Sequence, residues 1–477
     1  MSVLEESEYF RGCAWYLSEP RGISQWKGMF MSSDADSKGT TLTRRDFVKR
    51  SALSLAALSV PASKFYAAGS DTIKVGLIGC GGRGTGAATQ VLLSTNTAVK
   101  LWAMGDLFEG QLEKCHAMLT EGAEGRYDRE AFKSLASRMD VPKSRQFVGF
   151  EAFKGVMGAG VDLVLLTTPP HFRPEHFMAA AKAGKHVFME KPVAVDPMGI
   201  RTVLAAEQIA RQKGLSVVAG TQRRHQNHYI DILRRVHDGA IGEILAGQCY
   251  WNMGLPWDQF KVPSTAGMSD MEWQCRNWFY TTWLSGDHIC EQHVHNLDIM
   301  NWGIGEHPVQ VVGMGGRQAR TGPEYGNIFD HFACEFEYPN GIRVLSMCKQ
   351  NPGAAYHVCE RLVGTEGQTY TDQTVGYIKD LKGNTVYKYE GPNENPYYEE
   401  HRALIRSIRE GRALNEAQNI AGSTMNAIIG RMSAYTGRAL KWDWAMNASK
   451  LDLRPAKYEF GVLPLEPVAV PGQTQLI

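Results

Sequence analysis

Short apolar runs alternate with longer amphipathic stretches through the first half of the chain. The runs have the near-continuous hydrophobicity of strands buried on both faces, and they cover residues 73–78, 98–104, 161–167, 185–189 and 215–219. Helical periodicity follows three of them, at residues 87–93, 175–183 and 197–213. Strand–helix repeats of this length predict a doubly wound α/β domain with a parallel sheet, whose ligands bind at the carboxyl ends of the strands.

The pattern changes after about residue 221. Shorter runs of alternating apolar and polar residues follow, separated by Gly, Pro and Asn turns, at residues 243–251, 331–336 and 342–348. These runs predict an antiparallel sheet in a second, α+β domain. Helical patterns return at residues 401–412 and 417–438, the latter closing at Gly437.

The first 70 residues carry the features of an export signal. Arg44-Arg45 is followed by Phe47 and by the apolar run 51–60, a combination typical of the twin-arginine route. The run is shorter than the ~20 residues that span a bilayer, so we expect no integral membrane span. We predict export to the periplasm or cell envelope, with a basic amphipathic surface helix as the alternative. Because such signals begin close to their basic segment, we expect translation to start at Met31.

The composition gives no electrostatic reason to expect nucleic acid as a partner. Lys plus Arg number 51 and Asp plus Glu number 50, so the formal net charge is +1. A small neutral substrate fits this balance better. The nine cysteines form no CxxC pair and show no metal-ligand spacing, so we expect neither a disulfide framework nor a bound metal.

The first predicted strand runs directly into a glycine-rich segment. Gly79, Gly81 and Gly84 have the spacing of a dinucleotide-binding fingerprint. The first glycine permits a tight turn, the second lets the backbone approach a pyrophosphate, and the third lets the following helix pack on the strand. Gly82 and Arg83 complete this loop and are assigned to the same cofactor site.

Asp106 follows the second predicted strand and lies 22 residues after Gly84. This is close to the ~20 residues expected for the acid that binds the adenosine ribose. A carboxylate there favours NAD, because the 2′-phosphate of NADP would meet its negative charge. Arg83 supports the alternative, NADP, since a guanidinium beside the ribose could accept that phosphate.

Three further segments make the chain resemble the Gfo/Idh/MocA oxidoreductases, the glucose–fructose oxidoreductase and inositol dehydrogenase group. They are Thr168-Pro169-Pro170-His171, the string from Ala183 to Glu190-Lys191-Pro192, and the spacing Glu291, His295, Asp298 and Trp302. The resemblance covers about residues 73–445 and implies a Rossmann domain joined to an open antiparallel sheet. It also implies a homo-oligomer, a dimer or tetramer, and hydride transfer between NAD(P) and a sugar, sugar derivative or cyclitol.

The pattern and the resemblance together divide the chain into four parts. These are an N-terminal extension with the export signal (1–70), a Rossmann NAD(P)-binding domain (71–220), an antiparallel-sheet domain for substrate binding and oligomerisation (221–400), and C-terminal helices with a tail that pack back on the domains (401–477).

The resemblance assigns roles to individual residues. It places Lys191 against both the substrate and the nicotinamide, and His295 as the group that exchanges a proton with the substrate hydroxyl. Glu291 stands where the family often has Asp. Four residues apart on one helix, Glu291 and His295 share a face, so the carboxylate is expected to orient the imidazole. The other residues expected at the cofactor are Thr168, Pro169, His171, Glu190, Arg276 and Trp278.

Two further expectations concern Pro192 and the tryptophans. X–Pro is the linkage in which a cis bond costs least, so the bond after Lys191 is a candidate cis peptide. Five indoles fall within a short stretch and could form a sugar-stacking wall or fill a core. They are Trp251, Trp257, Trp273, Trp278 and Trp283.

Two other functions compete with a dehydrogenase or reductase. Some relatives of this fold are glycosidases that oxidise the sugar transiently with tightly held NAD, eliminate and re-add water, and produce no net NADH. The intact Lys191 favours the dehydrogenase, whereas export favours a retained, recycled cofactor. A non-catalytic, dinucleotide-bound sensor is the third class.

Overall fold

The computed structural model describes residues 72–96, 98–122, 129–254, 261–262, 265 and 267–477. The predicted export signal and start at Met31 lie outside these residues. Within the described residues, no helix is long and apolar enough to cross a membrane. The eight cysteines among them carry free, buried thiols.

Six strands form a parallel sheet in the order β3-β2-β1-β4-β5-β6, the order of a Rossmann domain. They are β1 (Ile73–Ile78), β2 (Val99–Asp106), β3 (Gln146–Val148), β4 (Leu163–Leu166), β5 (His186–Met189) and β6 (Val217–Ala219). Five of them coincide with the predicted apolar runs, which confirms the doubly wound sheet. β3 was missed because it is short and only half buried.

Six helices accompany this sheet. They are α1 (Gly82–Leu93), α2 (Glu109–Thr120), α3 (Arg129–Ser137), α4 (Ala152–Gly158), α5 (Arg173–Lys182) and α6 (Pro197–Gln212). α6 begins where the sequence predicted. The side chain of Asp196 accepts a hydrogen bond from Gly199 N at 2.7 Å, and Pro197 occupies the first helical position.

The second domain contains a nine-stranded sheet in the order β14-β13-β12-β11-β7-β10-β9-β8-β15. The strands are β7 (Ile244–Met253), β8 (Gln310–Gly316), β9 (His331–Glu337), β10 (Arg343–Gln350), β11 (His357–Gly364), β12 (Gly367–Thr371), β13 (Gly376–Asp380), β14 (Thr385–Lys388) and β15 (Leu440–Lys441). The pairing is antiparallel as predicted, except that β10 runs parallel to β7.

Eight further α-helices lie in the part of the chain that the structure describes. They are α7 (Asn227–His237), α8 (Asp270–Arg276), α9 (Thr282–Ser285), α10 (His288–Glu291), α11 (Val294–Ile304), α12 (Pro396–Glu410), α13 (Ala417–Thr436) and α14 (Trp442–Asn447). α12 starts earlier than predicted because Asn395 accepts a hydrogen bond from Tyr397 N at 3.1 Å. α13 ends, as predicted, at Gly437, whose φ of 69° suits a residue without a Cβ.

The C-terminal helices pack back on both domains. α13 is buried around most of its circumference and contacts α6, α11 and β8. Leu404, Ile405 and Ile408 of α12 join the apolar cluster under the first sheet. The C-terminal segment therefore connects the two domains and holds the edges of their sheets in fixed positions.

Candidate active site

The loops that carry the predicted site residues meet at one edge of the parallel sheet. β1, β2, β4 and β5 are neighbours, and the glycine loop, Asp106, Thr168 and Lys191 lie at their carboxyl ends. In an open parallel sheet this edge binds ligands, near the point where the strand order reverses. The structure therefore brings these predicted residues to the expected edge.

The glycine loop has space for a phosphate group on its outer side. A Cβ added at Gly81 or Gly82 would meet no neighbouring part of the chain within 4 Å. By contrast, one at Gly79 would come within 2.6 Å of Thr168 N, and one at Gly84 within 1.9 Å of Gly79 O. α1 starts in this loop without a side-chain cap, so its first N–H groups can face a pyrophosphate. The loop fits a dinucleotide as its spacing predicts.

Asp106 is held in place by two backbone N–H groups. Cys80 N donates to Oδ2 at 2.6 Å and Phe108 N donates to Oδ1 at 2.8 Å. Burial raises the pKa of this carboxyl group, and the two N–H donors oppose that shift. Each oxygen keeps a lone pair for a further donor, so the end of β2 fits the hydroxyls of a ribose.

Arg83 lies on the side of the loop that faces Glu190. Its guanidinium forms ion pairs with Glu190 and, at 3.2 Å, with Glu400, and it donates to Gln90 at 2.7 Å. Although burial opposes the charged form, these carboxylates raise the pKa of Arg83. The hypothesis that Arg83 accepts a phosphate beside Asp106 is not supported by these contacts. Arg83 instead connects the glycine loop to the segment that carries Lys191.

Lys191 extends from the end of β5 to the second domain. Its Nζ donates to the main-chain carbonyl of Glu291 at 2.5 Å and to the Glu291 carboxylate at 3.1 Å. The peptide bond to Pro192 is cis, as predicted. Burial raises the pKa of Glu291, and Lys191 opposes that shift. The ammonium group is thus held by both polar groups of one residue.

The expected contact between Glu291 and His295 is wrong, because the helix breaks between them. α10 ends at Glu291 and α11 begins at Val294. At the break His293 N donates to His288 O, five residues back, and His295 N donates to Gln292 O. The carbonyl of Glu291 therefore lacks its helical donor and accepts from Lys191 instead.

His295 lies in the first turn of α11, 6% exposed, with its ring stacked on Trp251 at a centroid distance of 5.8 Å. Nδ1 is buried without a hydrogen-bond partner. Burial, followed by the charges of Lys191 and Arg223, lowers the pKa of His295 well below its usual value. The imidazole is therefore neutral near pH 7 and able to accept a proton, beside a cation that can stabilise a developing alkoxide.

Thr168, Pro169 and His171 form the rim of this edge. Thr168 and Pro169 are half-buried. His171 Nε2 lies 2.8 Å from the hydroxyl of Tyr458 in the C-terminal tail, and its ring meets Trp283 edge-on at 4.7 Å. Burial lowers the pKa of His171 to about 3. His171 is thus engaged by the tail of the chain.

Arg276 and Trp278 lie beside the loop that follows Asp106. Arg276 is exposed, pairs with Glu272 at 2.9 Å and stacks on Phe108 at 4.0 Å. Trp278 packs in an apolar cluster with Trp283 and residues of the loops after β2 and β3.

The tryptophans do not form one wall. Trp273 donates to Val262 O, Trp283 donates to Gln274, and only Trp251 among the described indoles stacks on His295. Trp257 lies outside the described residues. Trp273 and Trp283 therefore pack within the protein, as in the core-filling alternative.

A buried ion pair beneath His295 was missed from the sequence. Arg223 pairs with Glu360 of β11, and Glu360 also accepts from Asn296 at 2.6 Å and from Tyr229 at 3.0 Å. The position of Arg223 could have indicated this site, because the residue follows β6 at the same edge of the sheet. Next to it, Arg224 donates to Asp298 at 2.8 and 2.9 Å, so Asp298 pairs with an arginine of the same segment.

Two family models match the chain. Residues 73–221 match "Oxidoreductase family, NAD-binding Rossmann fold", and residues 229–370 match "GFO/IDH/MocA C-terminal domain". The first match covers the whole parallel sheet, and the second covers β7 to β11 and nearly all of β12 in the nine-stranded sheet.

Similar proteins include enzymes named for sugars and inositols. The chain is 28% identical over 232 residues to 2,7-anhydro-N-acetylneuraminate hydratase of Escherichia coli (strain K12), covering 48% of this chain and 56% of that protein. It is 23% identical over 214 residues to scyllo-inositol 2-dehydrogenase (NAD+) of Bacillus subtilis (strain 168), covering 44% and 55%. The matched region thus spans little more than half the length of these relatives.

Solved structures share the fold. Aldose-aldose oxidoreductase from Caulobacter crescentus has a TM-score of 0.59 at 18% identity, over 78% of this chain and 100% of that one. Apo scyllo-inositol dehydrogenase from Lactobacillus casei has a TM-score of 0.57 at 20% identity, over 78% and 99%.

The buried histidines predict how stability depends on pH. Burial lowers the pKa of His176 to about 3, so below about pH 6.5 the unfolded chain takes up a proton that the folded chain does not. This residue therefore destabilises the protein by ~1.4 kcal/mol for each unit that the pH falls from 6.5 towards 3. His176→Phe should lower the slope of unfolding free energy against pH by that amount, measured by urea titration between pH 7 and pH 5.

The control is Phe177→Leu in the same helix, which removes buried apolar surface without removing a titrating group. It should lower stability equally at each pH. An unchanged slope in His176→Phe would contradict the account of His176 as a buried neutral group.

Proposed function

Since the chain belongs to the Gfo/Idh/MocA oxidoreductase family, we propose that it transfers hydride between NAD(P) and a carbinol of a sugar, sugar derivative or cyclitol. The observation that carries this proposal is the position of Lys191, which is held by Glu291 at the sheet edge with the open glycine loop and whose charge helps to lower the pKa of His295. The inositol dehydrogenases among its relatives support the substrate class.

The nicotinamide supplies the hydride chemistry when it is bound. His295 accepts the proton of the substrate hydroxyl on its imidazole, because the neutral ring has a nitrogen lone pair free to take it. Lys191 Nζ, fixed by Glu291, stabilises the negative charge that develops on that oxygen. Glu291 positions Lys191. The sequence had instead predicted that Glu291 orients the imidazole of His295.

We propose NAD as the cofactor, with NADP as the alternative. The carboxylate of Asp106 supports NAD, since it is fixed at the end of β2 where the adenosine ribose of a Rossmann domain binds. Arg83, the residue that favoured NADP, is paired with Glu190 and Glu400.

A glycosidase that uses NAD without net redox change is the second candidate. The hydratase among the relatives favours it, because that name describes addition of water. Lys191 in its ion pair with Glu291 favours the dehydrogenase.

The two candidates differ in what the purified protein releases. A panel of free sugars, inositols and aryl glycosides is offered with NAD+, while reduced nicotinamide and aryl alcohol are followed together. We expect reduction of NAD+ by a free sugar or inositol. Lys191→Met and His295→Asn should each lower turnover at least about 100-fold, because each removes a group that acts on the reacting oxygen.

Lys182→Met serves as the matched control, since this lysine is exposed on α5, away from the sheet edge. Its turnover should stay close to that of the unmodified protein. Release of aryl alcohol without net reduction would reject the dehydrogenase in favour of the glycosidase.

We also propose that the chain forms a homo-oligomer through the exposed face of the nine-stranded sheet. In strand β9, which lies between β8 and β10, Glu335 pairs with Val312 of β8 on one side and with Leu345 of β10 on the other. Two residues earlier, Ala333 pairs in the same way with Met314 and Met347. These four apolar side chains are 37–71% exposed. Exposed apolar side chains grouped in this way, here around Glu335, are typical of interfaces.

A charge introduced among these four apolar side chains should therefore dissociate the oligomer. Met347→Glu with Val312→Glu is expected to give a monomer by sedimentation velocity, because each copy would bury an unpaired charge. Leu381→Glu makes the same change at an exposed site after β13 and should leave the oligomer intact. A monomeric wild-type protein at micromolar concentration would remove this proposal.

We further propose that the protein is exported by the twin-arginine route with its cofactor already bound. The support is the sequence around Arg44-Arg45, which lies outside the described residues. Free nucleotide is scarce outside the cytoplasm, so an exported enzyme would need to carry and recycle its own cofactor.

Arg44→Lys with Arg45→Lys should keep the protein in the cytoplasm of a host that has this route, as judged by cell fractionation. Arg50→Lys, in the same basic segment but outside the twin arginine, is the control and should be exported. Export of the first variant at the normal level would be evidence against the route.

A further inference from the structure

The segment after α14 crosses the surface without regular structure. We call residues 449–477 the C-terminal strap. At its start Leu453 N donates to Asp196 Oδ2 at 2.8 Å, and Ser449 Oγ donates to Ile477 O at 2.8 Å. The first contact attaches the strap to the start of α6 and the second joins its two ends, so the residues between them form a loop.

The middle of the strap covers the carboxyl edge of the parallel sheet. The hydroxyl of Tyr458 lies 2.8 Å from Nε2 of His171, in the loop after β4. The ring of Tyr458 contacts the ring of Phe150, in the loop after β3, at a centroid distance of 5.8 Å. Phe460 stacks on Phe108, in the loop after β2, at 5.8 Å with an interplanar angle of 12°. Two strap rings therefore contact three successive loops of the ligand-binding edge.

The strap then attaches to α8 of the second domain. Leu463 N donates to Asp270 Oδ2 at 3.0 Å, and Gly461 O accepts from Met271 N at 3.2 Å. Further on, Glu466 O accepts from Asn327 at 3.1 Å. The strap thus bridges the two domains across the mouth of the cleft between them.

Space remains beneath this bridge. A cavity of about 460 Å³ lies directly after Asp106, and it is lined by Leu107, Phe108, Glu109, Gly110, Gln111, Lys114, Glu272, Arg276 and Phe460. Its volume is within the roughly 300–1,000 Å³ of small-molecule sites. Phe460 is the strap residue in this lining, and it faces the end of the cleft where Asp106 fits a ribose.

We infer that the C-terminal strap is the outer wall of the dinucleotide site, and that Tyr458 and Phe460 control how long the dinucleotide stays bound. This inference rests on the proposed function, because it needs a dinucleotide along the edge from Gly81 to Asp106. The strap is joined to the edge by a few aromatic contacts and one side-chain hydrogen bond. Such a segment opens locally without unfolding the domains, and a ligand held against it leaves faster when it opens.

The test measures release of labelled nucleotide from the full-length protein. Equilibrium dialysis with NAD+ and with NADP+ first identifies the nucleotide that binds. The loaded protein is then freed of excess label and chased with unlabelled nucleotide. Phe460→Ala should raise the dissociation rate about tenfold, because it removes two ring contacts from the wall. Tyr458→Phe, which removes only the hydroxyl bonded to His171, should raise it less.

Val462→Ala is the matched control, since this strap side chain is 89% exposed. Its release rate should equal that of the unmodified protein. Thermal unfolding of the nucleotide-free variants checks that Phe460→Ala and Tyr458→Phe remain folded. If the protein binds neither nucleotide, both the proposed function and this inference are rejected. If it binds one and both strap variants release it at the wild-type rate, the inference alone is overturned.

Discussion

The contact between Lys191 and Glu291 is the interaction on which the site depends. A carbonyl in the interior of a helix accepts from the N–H four residues later, but the break after α10 deprives Glu291 of that donor. Lys191 Nζ supplies the missing hydrogen bond and also neutralises the carboxylate. A buried carbonyl and carboxylate without this donor would each carry a desolvation cost. The lysine therefore stabilises the break in the helix, and the break leaves the Glu291 carbonyl free to bind the lysine.

The same balance of burial and pairing fixes the rest of the site. Arg83 pairs with Glu190 at the glycine loop, and Arg223, in the segment that follows β6 of the parallel sheet, pairs with Glu360 of β11 in the nine-stranded sheet. Removal of one partner from a buried pair costs ~3–5 kcal/mol, because the other charge is left in a medium that solvates it poorly. These pairs therefore specify one arrangement of the two sheets, in which the glycine loop, Lys191 and His295 meet.

The parts of this arrangement that depend on local sequence could be predicted. The strands of the first sheet, the glycine loop and the end of α13 at Gly437 follow from hydrophobic runs and backbone preferences. The helix break was missed, because residues 288–304 have a helical pattern and the lysine that stabilises the break is about 100 residues away. Similarly, the sequence shows Glu360 only as a polar residue in a strand. Its burial in an ion pair depends on Arg223, which is distant in the sequence.

The charge balance of the site also bears on the substrate it suits. Lys191 is already neutralised by Glu291, and His295 is neutral because burial and nearby cations lower its pKa. A substrate carboxylate or phosphate would have to compete with Glu291 for the ammonium group, and would gain little from an uncharged imidazole. A hydroxyl needs no countercharge: it can donate to the imidazole and accept from Lys191 without displacing Glu291. This charge balance therefore supports the neutral sugar or cyclitol proposed as the substrate.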